Sequence, residues 1–166
     1  GPLGGDPNFV KTVGDTAWFF PMFWDTVFMT RGRAGYLESL IEKPVPLGER
    51  FYVGGPTTVR GFRYGTDGPK DAFGNIYGGN RELIFNIEYI FPIVPAARLK
   101  GVIFYDIGKG FDDPEPIKIS ELRHTYGWGF WWLSPIGPLR FEWANILHKK
   151  PDDQASKFEF SMGTLF

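Results

Sequence analysis

Along most of the chain, bulky apolar side chains recur at every second position, with charged or small residues between them. A period of two places alternate side chains on opposite faces of an extended strand, so the pattern predicts strands with one apolar and one polar face. Seven segments carry it: residues 9–20, 25–36, 81–91, 98–107, 121–133, 139–147 and 156–166. In the third, Leu83, Phe85, Ile87, Tyr89 and Phe91 share one face, and Glu82, Asn86 and Glu88 the other. The fifth sets Tyr126, Trp128, Phe130 and Trp132 against Arg123, Thr125, Gly127 and Gly129. The sixth sets Leu139, Phe141 and Trp143 against Arg140, Glu142 and Ala144. In the seventh, Phe158, Phe160, Met162 and Phe166 oppose Glu159, Ser161 and Gly163.

A soluble β-sandwich also alternates, but two features favour a wall between lipid and water. The apolar faces are built from very large rings, as in the aromatic girdles of membrane barrels, and most segments have the roughly ten residues that a tilted spanning strand needs. The connections alternate as well. Those at 21–24, 92–97 and 134–138 are short, and those at 37–80, 108–120 and 148–155 are long, as when turns face one side of a membrane and loops the other. The expected fold is all-β: an antiparallel up-and-down membrane β-barrel fragment of about seven strands, with a long glycine-rich loop folded into the lumen.

Composition sharpens this picture. Aromatics form 18% of the 166 residues, too many for an ordinary water-facing surface. No uncharged run approaches the roughly 20 apolar residues of a spanning helix; the stretch 125–139 is broken by Ser134-Pro135-Ile136-Gly137-Pro138. Net charge is −1, which gives no field to recruit nucleic acid. Cysteine is absent, excluding thiolate metal sites, thiol nucleophiles and disulfides. No cofactor or metal is expected. Residues 1–5, opening Gly1-Pro2-Leu3-Gly4, read as the scar of a tag-cleaving protease, which points to an engineered fragment of a longer chain.

Residues 48–80 hold 9 of the 22 glycines, together with Phe51, Tyr52, Val53, Val59, Phe62 and Tyr64, so the loop has apolar material with which to pack. Its Arg60 is the strongest candidate for a structural role. A guanidinium inside a barrel needs carboxylates at fork geometry to offset lost hydration. Glu88 and Asp106 lie at inward positions of adjacent strands and are its expected partners; Arg31 and Arg33 compete for the same acids.

Gly54-Gly55-Pro56-Thr57-Thr58-Val59-Arg60-Gly61-Phe62 resembles the loop motif of the BamA-type outer-membrane assembly-factor superfamily. Further similar stretches are Gly78-Gly79-Asn80, Asn86-Ile87-Glu88-Tyr89, Phe104-Tyr105-Asp106-Ile107-Gly108 and Ser134 to Leu139, in the family's order. The resemblance runs from about Phe9 to Phe166. It implies a lumen loop carrying Val59, Arg60, Gly61 and Phe62, with Arg60 meeting Glu88 and Asp106 on the inner wall. It also implies a terminal strand signal through Phe158, Phe160, Gly163 and Phe166, ending at a native terminus. Residues 6–166 would be the C-terminal portion, strands ten to sixteen, of a 16-stranded barrel whose POTRA domains and earlier strands are absent.

The implied function is non-enzymatic: folding and inserting β-barrel proteins into the bacterial outer membrane. The implied partners are outer-membrane lipids, nascent barrel proteins and, in the full-length parent, assembly-complex lipoproteins. Alternatives are a two-partner secretion transporter of the same superfamily and a passive porin-like barrel. An outer-membrane enzyme finds little support, since His124 falls on the lipid-facing parity and His148 begins a loop. Arg31 and Arg33 read as wall charges for Glu82 or Glu142. Asp112-Asp113 and Asp152-Asp153 read as solvated external turns rather than calcium ligands, for want of ligand spacing. Seven antiparallel strands cannot close without one parallel seam, so either such a seam or edge-to-edge homodimerisation is expected.

Overall fold

The alternating segments fold as seven antiparallel strands in one sheet, in chain order, in a computed structural model that describes residues 9–41 and 44–163. They are β1 (Phe9–Pro21), β2 (Val27–Ser39), β3 (Arg81–Val94), β4 (Leu99–Phe111), β5 (Arg123–Ser134), β6 (Gly137–Ile146) and β7 (Phe158–Met162). Tight connections, two of them with single 3-10 turns at Phe23–Asp25 and Pro95–Ala97, join β1 to β2, β3 to β4 and β5 to β6. The long connections fall at the other end of the sheet, so the alternation of link lengths corresponds to two distinct rims.

The distribution of polarity is inverted relative to a soluble sheet. On β3, Glu82, Asn86 and Glu88 are 3–6% exposed, whereas Phe85, Ile87 and Tyr89 are 37–41% exposed. Trp128 at 50%, Phe160 at 52% and Ile103 at 56% continue the outward apolar surface. Water would penalise such a surface by about 25 cal/mol for each Å² of apolar area left wet; hydrocarbon removes that penalty. This arrangement suits a sheet whose convex side meets lipid, and it argues against the sandwich. No helix among the described residues is long and apolar enough to cross a membrane.

Several boundaries differ from the sequence expectation. β3 continues through Pro92 to Val94, because a bulge between Pro92 and Val94 accommodates the missing proline N–H. β7 begins at Phe158 rather than 156, since Ala155 and Ser156 pair elsewhere. The expected scar at 1–5 and the position of Phe166 lie outside the described residues.

The first long loop, 40–80, turns back against the concave side. Val53, Val59 and Phe62 form a buried cluster with the inward Ile84 of β3, and the inward Ile146 of β6 packs on it. Because one loop reaches both β3 and β6, the sheet must curl around it. β1 and β7 are the edges of the sheet; no pairing joins them among the described residues.

Candidate functional site

Gly54-Gly55-Pro56 opens the tucked segment, and a chain of local bonds shapes it. The Thr58 hydroxyl accepts from the Gly54 amide at 2.9 Å, and the Gly55 amide donates to the Val59 carbonyl at 3.2 Å. Gly61 then takes φ +95°, a left-handed conformation that strains any L side chain, and an added Cβ would sit 3.2 Å from Ala144. These turns deliver Arg60 into the concave face, where it is 2% exposed.

Its guanidinium is saturated. Nε and Nη2 donate to the two oxygens of Asp106 at 2.8 and 2.7 Å, a planar fork, and the Arg60 amide donates to the same carboxylate at 3.0 Å. Nη1 lies 2.8 Å from both Glu88 and Glu142. The guanidinium carbon is 3.6 Å from the centre of the Phe104 ring, so a cation–π contact backs the ion pairs. Asn86 bridges loop and wall, donating to the Thr58 carbonyl at 2.7 Å and to Asp106 at 2.9 Å. Trp131 donates its indole N–H to Glu142 at 3.2 Å, and Arg140 stacks on that indole at 3.8 Å. Burying so many charges costs hydration, so such a cluster contributes specificity of position more than net stability, while removing one member leaves the others uncompensated.

Inward glycines create the space. A Cβ at Gly127 would collide with the Phe104 ring, and one at Gly129 would sit 2.8 Å from Glu142. The sequence places these glycines opposite large rings on the same strand, yet only the curled sheet reveals what they accommodate.

Arg60 thus meets the expected Glu88 and Asp106. Glu142 was assigned to Arg31 or Arg33; it goes to Arg60 instead, because curling brings β6 across to β3 and β4. Arg33 does reach Glu82, at 2.7 Å, whereas Arg31 forks onto Asp15 of β1 at 2.9 and 2.5 Å and donates to the Thr57 carbonyl at 3.0 Å. Asn86 and Phe104 stood in the family-like stretches without an assigned contact, and Trp131 was not singled out in the sequence. All three have inward parity, and the signal was a ring or amide at a position where charge or glycine dominates.

The external rim is tied by ion pairs, although Asp113 and Asp152 stay solvated, with side chains 66% and 64% exposed. Arg123 forks onto Asp153 at 2.9 and 2.6 Å, so Asp153, its side chain 6% exposed, departs from the expected solvated turn, whereas Asp152 does not. Burial works against ionisation of Asp153, but bonds from Arg123 and the Lys150 amide hold its carboxyl below the ordinary aspartate range. Asp152 pairs with Lys70 at 2.6 Å, Asp112 with Arg50 at 3.1 Å, and Asp113 with Arg81 at 2.7 Å and with Asn80. Asp67 in the loop is different: buried without a bond to its Oδ2, its carboxyl is pushed up to about 7, despite attraction from Arg123 and Lys109. His124 faces outward and meets the Tyr105 hydroxyl at 3.1 Å; His148 sits in the β6–β7 loop with φ +52°. Among the described residues no group of three or more potential ligands could hold a metal.

The chain has counterparts among known proteins. The Omp85 superfamily domain matches residues 1–166. The outer membrane protein assembly factor BamA of Nitratidesulfovibrio vulgaris is 34% identical over 170 residues, spanning 100% of this chain and 22% of that protein. BamA of Neisseria meningitidis is 32% identical over 98% of this chain and 24% of its own length. The sorting and assembly machinery component 50 homologue of Mus musculus is 39% identical over 79 residues, 48% of this chain and 17% of that protein. In fold, the crystal structure of Haemophilus ducreyi BamA lacking POTRA domains 1–3 superimposes with a TM-score of 0.82 at 24% identity, over 95% of this chain and 35% of that one. The chain therefore spans about a quarter of the curated BamA relatives it matches.

Proposed function

Because the chain belongs to the Omp85 superfamily, we propose that it supplies the loop-bearing part of the barrel of an outer-membrane protein assembly factor, resident in the bacterial outer membrane. The observation that carries this reading is the buried cluster of Arg60 with Asp106, Glu88 and Glu142, which fixes a loop across the lumen. A passive porin would need that space open. The reading of a secretion transporter has less support, since the similar proteins named above are assembly factors.

The chemistry of the role is strand pairing rather than bond making. Unpaired N–H and C=O groups at a sheet edge are costly in hydrocarbon, so an edge recruits a complementary strand. β1 and β7 are such edges here, and nascent barrel proteins are the substrates that would present one. On its own the chain would bury the same edges against a second copy, giving a dimer in detergent. The outward rings are its lipid contacts, and assembly-complex lipoproteins are partners of the longer protein.

The test is a chimera in which this chain replaces the equivalent stretch of the Neisseria meningitidis factor in cells depleted of the native copy. Restored levels of assembled barrel proteins are expected, with Arg60→Ala losing most of that rescue. A chimera that reaches the outer membrane in normal amount yet leaves barrel proteins unassembled would contradict the proposal.

A further inference from the structure

Among the described residues, β7 is held by a shorter ladder than any other strand. It pairs with β6 over five positions, Leu139↔Met162 to Trp143↔Phe158, where β4–β5 and β5–β6 each pair over ten. One pair in from the Trp143↔Phe158 end of that ladder, Glu142 stands directly opposite Glu159, both inward and buried at 1% and 9% exposure. Two carboxylates facing each other across strands repel, and the low dielectric strengthens the repulsion. Outward, Phe158 on Trp143 at 5.2 Å and Phe160 on Phe141 at 5.3 Å hold the strand; inward, the ladder opposes itself.

The tucked loop supplies what is missing. Arg60 Nη1 holds Glu142 at 2.8 Å, placing a cation at the facing pair. Immediately after it, the loop backbone pairs as a strand with the segment that leads into β7. The Ser156 amide donates to the Gly61 carbonyl at 2.8 Å, the Arg63 amide donates to the Gln154 carbonyl at 2.8 Å, and Phe62 bridges Ala155 between them. Arg123, forked onto Asp153, lies 5.1 Å over the Phe62 ring and closes the unit. The other charged groups around the pair are Glu88 and Asp106, already bound to Arg60, and Arg140, 4.0 Å from Glu88.

We infer that the loop is the clamp of β7: Arg60 screens Glu142 from Glu159 while Gly61–Arg63 templates residues 154–156, so leaving the lumen and loosening the last strand are one event. This makes Glu142 and Glu159 positioning residues for the strand that forms the sheet edge. It depends on the geometry of the loop and not on the assembly role, and would hold for a barrel of any function.

Hydrogen exchange read by mass spectrometry on the chain in detergent micelles tests it. Arg60→Ala should speed exchange across 154–162 by about tenfold more than across β3 and β4, and adding Glu142→Gln should recover much of the loss. Glu159→Gln, which removes the repulsion and keeps an acceptor, should by itself slow exchange in 158–162 by about threefold. Uniform acceleration through all strands in Arg60→Ala, or no recovery in the double variant, would overturn the inference. Should Arg60→Ala fail to fold, Glu159→Gln decides alone: unchanged or faster exchange in β7 refutes the clamp.

Discussion

Asp106 takes both prongs of Arg60 and its backbone amide, so its charge has more to hold than that of Glu88 or Glu142. Asp106→Asn should lower stability by about 3–5 kcal/mol, the cost of leaving a buried cation short of its partner. Glu88→Gln, which removes one contact, should cost about 1–2 kcal/mol. Both are read as the temperature at which the band of the folded form is lost on a gel. Asp67 sets a different dependence, on pH. Its folded carboxyl lies near 7 against an ordinary 3.8, so the unfolded chain gives up its proton first. The contribution of Asp67 to stability is therefore greatest below about pH 4, falls as pH rises toward 7, and then levels off. Asp67→Asn should remove that slope and raise stability at pH 8 by up to about 4 kcal/mol, checked by melting the two proteins from pH 5 to 8. At this scale the sequence was partly legible. The parity of Glu88 and Asp106 showed their direction, and the demand of a buried guanidinium for acids pointed to them. Glu142 and Phe104 were hidden because their nearness to Arg60 depends on curvature, which alternation does not encode.

Strand identity was the most readable feature, since a ring at every second residue over about ten positions fits little but a spanning strand. Ends were less readable. Pro92 looked like a stop but is absorbed by a bulge, and Ser156 looked like strand but pairs with the loop. Gly127 shows what an inward glycine does for an element. Its missing side chain lets Phe104 lie beneath Arg60, and a Cβ there would also strike the Trp143 carbonyl. Gly127→Val should cost about 3 kcal/mol or more through overpacking and sharply reduce the yield of folded protein, whereas a change at Gly14, whose Cβ would meet nothing within 4 Å, should not. Comparing the heat-stable fraction of the two variants checks this.

For the molecule as a whole, two relations matter: an apolar exterior around a polar interior, and one loop that ties the interior together. The first requires an amphiphile, and the two open edges require partners. Detergent-corrected mass in micelles should exceed that of one chain, and pairing should occur through β1 or β7; a strictly monomeric chain would show that the edges are satisfied some other way. The second relation is the centre of the account, and limited trypsin digestion of the chain in micelles tests it most directly. Cleavage is expected after the exposed Lys149 while the bond after Arg60 stays intact until the whole fold opens. Cutting after Arg60 as fast as after Lys149 would contradict a loop pinned in the lumen.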